Sequence, residues 1–165
     1  MAQLYRDQFH HYLNTATTSG ATGNETWKRE GTGVESLSVA FNPQKDTYKT
    51  ILNRTAQTTF NNYQLSSSIG DKRCYSDDPI YEYLDSLRKN ATAGETQLLE
   101  INTAKTNGTP GTYEAVKYDV LVTISEWLGE NATISYDINY SNPVVGIATI
   151  SGSTITFTEE TDTSL

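Results

Sequence analysis

Apolar and polar residues alternate with a period of two along most of the second half of the chain. From Tyr113 to Trp127 the positions Val116, Tyr118, Val120, Val122 and Ile124 fall on one side, and Lys117, Asp119, Thr123 and Ser125 on the other. Such alternation predicts a half-buried strand, because successive side chains of extended backbone point to opposite faces. Ile134, Tyr136, Ile138 and Tyr140 repeat it against Ser135, Asp137 and Asn139, and Val144–Ser151 and Thr154–Thr158 follow across the turn at Ser151-Gly152-Ser153. Shorter runs earlier in the chain predict strands over 34–41, where Asn42-Pro43 ends the run, over 57–69, and over 97–102. Between the first two lies the stretch 42–56, and residues 42–63 together are expected to form a long hairpin arm.

The helical period appears once. Ile80, Tyr83, Leu84 and Leu87 recur at the i, i+3, i+4, i+7 spacing of one helix face. Asp78 is placed to cap the first turn and Pro79 suits the first helical position, where a missing N–H costs nothing. Arg88 and Lys89 close the helix with the sign its dipole favours. The reading is a helix over 78–89 lying on a sheet. The first two dozen residues carry no sustained period and end in a Thr/Ser/Gly-rich stretch, so 1–24 reads as a flexible arm, 25–158 as one β domain and 159–165 as a tail. The fold class is therefore mainly β, a sandwich or small barrel of about seven or eight strands with one flanking helix.

Charge and composition narrow the function. The 165 residues carry a formal net charge of −8. Ten acids balance ten bases up to residue 90, whereas ten acids face two bases beyond it. That distribution argues against a protein that grips phosphates, since nucleic-acid affinity comes mainly from Lys and Arg neutralising the backbone. It suits one that DNA must pass without sticking. The N-terminus has no basic start leading into an apolar run, and no stretch approaches a membrane span, which predicts a protein assembled in a bacterial-type cytoplasm with no membrane partner.

Candidate chemistry is sparse. A single cysteine, Cys74, and two histidines, His10 and His11, leave no Cys/His metal framework, so no metal or cofactor is expected. His10 and His11 fall in the N-terminal arm, away from any nucleophile–base arrangement. Asp77-Asp78 reads as a helix cap rather than an acid/base pair, and the glycines of the TSGATG stretch do not form a phosphate loop. The Asn-X-Ser/Thr triplets at Asn24, Asn53, Asn90, Asn107 and Asn131 read as a by-product of an Asn- and Thr-rich chain. Trp27 and Trp127 are the candidates for a carbohydrate-binding face. No enzyme is expected.

The order of these features resembles the phage major tail proteins, the tube-forming subunits of long-tailed phages. The resemblance runs from Trp27 through Phe41-Asn42-Pro43, the basic excursion with Lys45, Lys49 and Ile51, and the return to Tyr63. It continues with Asp77-Asp78-Pro79-Ile80, Tyr83-Leu84, Leu87-Arg88-Lys89, Gly94-Glu95-Thr96-Gln97, Tyr113-Glu114-Ala115, Ile134 to Tyr140 and Pro143-Val144-Val145-Gly146. The segment near Trp127-Leu128-Gly129-Glu130 is shorter than that family's usual acidic loop. The resemblance implies hexameric rings stacked into a tube whose lumen conducts DNA, and a place in the virion tail after assembly in the host cytoplasm. It implies as partners further copies of the chain and tape-measure, distal and terminator proteins. On this reading Asn42, Pro43, Lys45, Lys49, Arg54 and Tyr63 belong to an inter-ring arm, and Asp119 and Asp137 face the lumen. The alternatives are a β-sandwich carbohydrate-binding module and a type VI secretion-like tube subunit.

Overall fold

The computed structural model describes residues 2–16, 25–52, 54–128 and 131–161. After a 3-10 turn at Arg6–Gln8 the elements are β1 (Phe9–Asn14), β2 (Trp27–Arg29), β3 (Pro43–Tyr48), β4 (Gln57–Tyr63), β5 (Ser66–Arg73), α1 (Pro79–Asn90), β6 (Gly94–Thr106), β7 (Thr112–Trp127), β8 (Thr133–Ser151) and β9 (Thr154–Glu159). Six strands in the order β2-β1-β6-β7-β8-β5 form a nearly closed antiparallel barrel-like sheet, with β9 added beside β8. Strands β3 and β4 form a separate two-stranded sheet. The fold is mainly β with one helix, as the alternation implies.

The helix stands where the capping pattern puts it. Asp78 accepts a hydrogen bond from the Ile80 N–H at 3.0 Å, and Ile80, Leu84 and Leu87 are buried. They close the larger core over Leu13, Ile69, Leu98, Val120, Val122, Ile134, Tyr136 and Ile138.

Three departures from the sequence reading have one origin each. First, 1–24 is not all arm: Phe9–Asn14 pairs with β2 on one side and with residues 98–102 of β6 on the other. Its polar residues find partners inside the sheet, so a run that lacks apolar periodicity is still held. Residues 17–24 lie outside the described part. Second, 34–41 is not a strand, apart from one bridge between Ala40 and Ser66, yet Val34, Leu37 and Val39 still pack against the core. The excursion itself pairs instead, and the return run splits into β4 and β5 where the Gln64 N–H turns to the Phe41 carbonyl. Third, 134–140 and 144–151 are one strand. At its middle Asn142 adopts φ 49°, and β8 gains one residue on β7 between the Asp119–Ser141 and Lys117–Val144 pairs.

That extra residue turns β8 over relative to its neighbours. A bulge inserts one residue into one strand only, so side chains beyond it change face. Val120 and Tyr140 point into the helix-covered core, whereas Ala115 and Ala148 point the opposite way. There they form a second core with Trp27, Leu99 and Ile101. Leu98 and Leu99, adjacent and both fully buried, mark the crossover. Val116, expected on the core face, is only half-buried, and Ala115 takes the buried position.

Another bulge places a charge inside. Asp71, at φ 51°, sits where β5 gains a residue on β8 between the Ile69–Tyr136 and Lys72–Ile134 pairs. Asp tolerates the left-handed region better than most residues. Lys72 therefore points inward and is completely buried. Its ammonium lies 2.8 Å from Asp78 Oδ2 and 3.4 Å from Glu30 Oε1, and it also donates to the Thr32 carbonyl. The buried Tyr136 hydroxyl lies against Glu30. This cluster joins the exit of β2, strand β5 and the start of α1 at the place where the barrel would otherwise gape. The backbone closes there too, through the Arg73 N–H and the Gly33 carbonyl at 3.0 Å. Gly33 has φ 73°, and a Cβ on it would stand 2.5 Å from the Arg73 carbonyl oxygen.

Two outcomes follow from this cluster. Lys72→Met leaves two buried carboxylates without their cation and should cost about 3–5 kcal/mol in urea unfolding. Glu30 behaves differently, because burial raises its carboxyl above the ordinary 4.5 while Lys72 opposes the shift. A raised folded-state value means that the folded protein holds the proton more tightly. Its contribution is complete below the unfolded value and is lost as pH rises through the folded one. Glu30→Gln should therefore match the unaltered protein in mild acid and equal or exceed it in mild alkali, read by denaturant midpoints across that range. A Glu30→Gln deficit that grows with pH would show that the ionised carboxylate is needed.

Candidate functional site

The arm is the most exposed part of the described chain. Every residue of β4 is exposed, and in β3 only Gln44 is half-buried. Of the twelve large hydrophobic residues most exposed among the described ones, Tyr48, Ile51, Leu52, Phe60 and Tyr63 lie in it, and Phe41 stands at its base. A two-stranded hairpin alone is marginal in water, so local pairs hold it. Asn42, at φ 43°, clips the base by donating from Nδ2 to the Gln64 carbonyl at 2.9 Å and to Ser66 Oγ at 3.0 Å. Pro43 opens β3 opposite Tyr63, a position where its missing N–H is tolerated. Lys45 stands opposite Phe60, and Lys49 and Arg54 are exposed toward the tip. The structure thus brings Asn42, Pro43, Lys45 and Tyr63 together on one projecting element.

The second surface is the sheet face turned away from α1. Register aligns Gln97, Asp119 and Ser141 in one row, Glu95, Leu121 and Asn139 in the next, and Thr123, Asp137 and Ser68 in a third. Asp119 and Asp137 therefore share one face with Glu95, and these rows contain no Lys or Arg. The Asp119 carboxylate accepts from Asn142 Nδ2 at 2.9 Å, and that of Asp137 accepts from Ser68 Oγ at 2.5 Å. A shallow hollow of about 460 Å³ lies over Glu95, Gln97, Asp119, Leu121 and Asn139. Glu95 escaped sequence reasoning, because only strand register shows that its side chain joins this face.

The remaining chemical candidates are structural in their contacts. His11 is buried; Arg6 donates to its Nδ1 at 3.2 Å, which leaves Nε2–H to meet Glu100 Oε2 at 3.0 Å. The hydrogen bond from His11 holds the Glu100 carboxyl below its usual range. This pair ties β1 to β6. Burial pushes the half-buried Cys74 thiol up, away from the thiolate form that reacts. Trp27 belongs to the second core, and Trp127 is docked on the helix by Tyr81 and by the Arg88 guanidinium 4.2 Å from its ring centre. Among the described residues no group of three or more His, Cys, Asp or Glu is placed to hold a metal ion.

No family model matches the chain, and no curated protein matches it.

Since the arm contributes no side chain to either core, its tip is dispensable for folding. Removing residues 46–53 should leave the melting temperature within about 2 °C of the unaltered chain, as surface changes normally do. A larger drop measured by calorimetry would place the arm in the stability of the barrel.

Proposed function

We propose that this chain is a non-enzymatic structural subunit of a phage tail tube, assembling with copies of itself into stacked hexameric rings around a passage for DNA. The observation that carries the reading is the projecting arm, whose apolar side chains are left about half exposed or more by their own subunit. Exposed apolar area of this kind marks a contact surface. Two further features support it. Strand β9 pairs only with β8 among the described residues, leaving an edge that ring closure would pair rather than expose to aggregation. The face with Glu95, Asp119 and Asp137 has the charge that a DNA-conducting wall needs, because like charge keeps the phosphates from adsorbing. Repeated in every subunit of a ring, these acids reinforce one another across a narrow lumen.

In this role the partners are neighbouring copies of the chain and the tape-measure, distal and terminator proteins of a tail. The place of work is the virion tail, after assembly in the host cytoplasm. A carbohydrate-binding module draws no support from the tryptophans, since Trp27 is buried and Trp127 is committed to the helix.

Negative-stain electron microscopy of the concentrated chain should show rings or tubes; a small, discrete oligomer at every concentration would refute the reading. In assembled phage, Asp119→Lys with Asp137→Lys should leave tubes intact and slow DNA ejection at low ionic strength, where screening is weakest. Unchanged ejection there would remove these two acids from the lumen wall.

A further inference from the structure

The two faces of the arm differ, and the difference assigns its docking side. On one face the polar groups satisfy one another: Asn61 Nδ2 donates to Asp46 Oδ2 at 2.7 Å, and the Tyr48 hydroxyl donates to Gln57 Oε1 at 2.8 Å. Gln44 on this face donates back to the Asn42 carbonyl. The other face carries Phe41, Tyr63 and Phe60 in a row. Tyr63 meets Phe41 edge-on at 5.4 Å between ring centres and meets Phe60 at 4.7 Å. All three rings remain more than half exposed, at 53, 54 and 53 % respectively. Phe60 and Tyr63, three residues apart, would lie on opposite faces of a regular strand. The irregularity between the Gln44–Asn62 and Lys45–Phe60 pairs adds one residue to β4 and sets both rings on one side. Lys45, directly opposite Phe60, sits at the border of this aromatic row.

We propose that the arm binds a second copy of this chain through the face formed by Phe41, Phe60 and Tyr63, with its cations set against acidic surface on that copy. The inference rests on the self-assembly reading and specifies the side of contact. Aromatic residues clustered at one place carry most of the energy of protein contacts. Three rings already packed against one another lose little freedom on docking. Charge selects the occupant: residues 42–63 hold Lys45, Lys49 and Arg54 against Asp46, while the chain as a whole is at −8, so the arm is the cationic piece of an acidic molecule. A second copy offers the complementary field, which sets register and association rate.

The test compares two full-length variants by sedimentation velocity and electron microscopy. Phe60→Ser with Tyr63→Ser alters the aromatic face; Gln57→Ala with Asn62→Ala alters the opposite one. Circular dichroism and melting temperature should be unchanged in both. The aromatic-face variant should need about tenfold more protein to assemble, or fail to assemble, whereas the other should assemble normally. Lys45→Glu should slow assembly at low salt and less so at high salt. Equal assembly by both double variants, equal loss in both, or a chain that stays monomeric throughout would overturn the proposal. Small oligomers that the aromatic variant abolishes would uphold this contact and refute the tube; tubes that survive the change would do the reverse.

Discussion

The barrel depends on a single ammonium group. Among the described residues Lys72 is the one cation that reaches both Glu30 and Asp78, and those two residues belong to parts of the chain that share no strand ladder at that point. Asp78 uses one oxygen to cap α1 and the other to meet Lys72, so helix start and barrel closure share a residue. Burying such a group is costly unless partners surround it. The arrangement is therefore a constraint as much as a bond: the ammonium is fully partnered only with all three segments in place. Burial also drives the Tyr136 hydroxyl well above its usual range, with the Glu30 carboxylate adding to the effect, which keeps that hydroxyl neutral beside the cluster.

Three local insertions decide what faces where. The bulge at Asp71 turns Lys72 inward, the one at Asn142 moves the buried side of β8 to the opposite sheet face, and the one in β4 aligns Phe60 with Tyr63. Each is a single residue. Together they separate a simple curled sheet from one with an internal charge cluster, two cores on opposite faces and an arm with an aromatic side.

This explains how much of the structure was legible in the sequence. The helix was readable because its determinants are local: Asp78, Pro79 and the Ile80–Leu87 stripe lie within one short contiguous segment. The long strands β7 and β8 were readable from alternation. The arm was readable as an excursion with basic residues, and Asp119 and Asp137 were readable as residues off the core face. What escaped depends on partners far away in the chain. Phe9–Asn14 looks polar, yet His11 is held by Glu100 and Asn14 accepts from Thr26 and Ala16 N–H groups. Lys72 follows Ser-Ser-Ser-Ile-Gly-Asp, a context that reads as surface. Bulges defeat alternation outright, because a one-residue offset inverts every assignment beyond it. The aromatic row of the arm was hidden for that reason, since spacing alone places Phe60 and Tyr63 on opposite sides.

The pairing of β1 with β6 also has a consequence for how the chain is made. Phe9 meets Asn102, and Leu13 meets Leu98, so during synthesis β1 waits for a partner more than eighty residues behind it. At ordinary rates of synthesis that delay is roughly 5–20 s. Throughout it the apolar Leu13 and the open edge of β1 lack their final cover, and the sheet cannot be completed from its N-terminal side. Folding must begin instead among β6, β7 and β8, whose ladders join neighbours in sequence. Strand β1 then joins a sheet of β6, β7 and β8 and brings β2 with it, which leaves growing chains briefly able to lend β1 to one another.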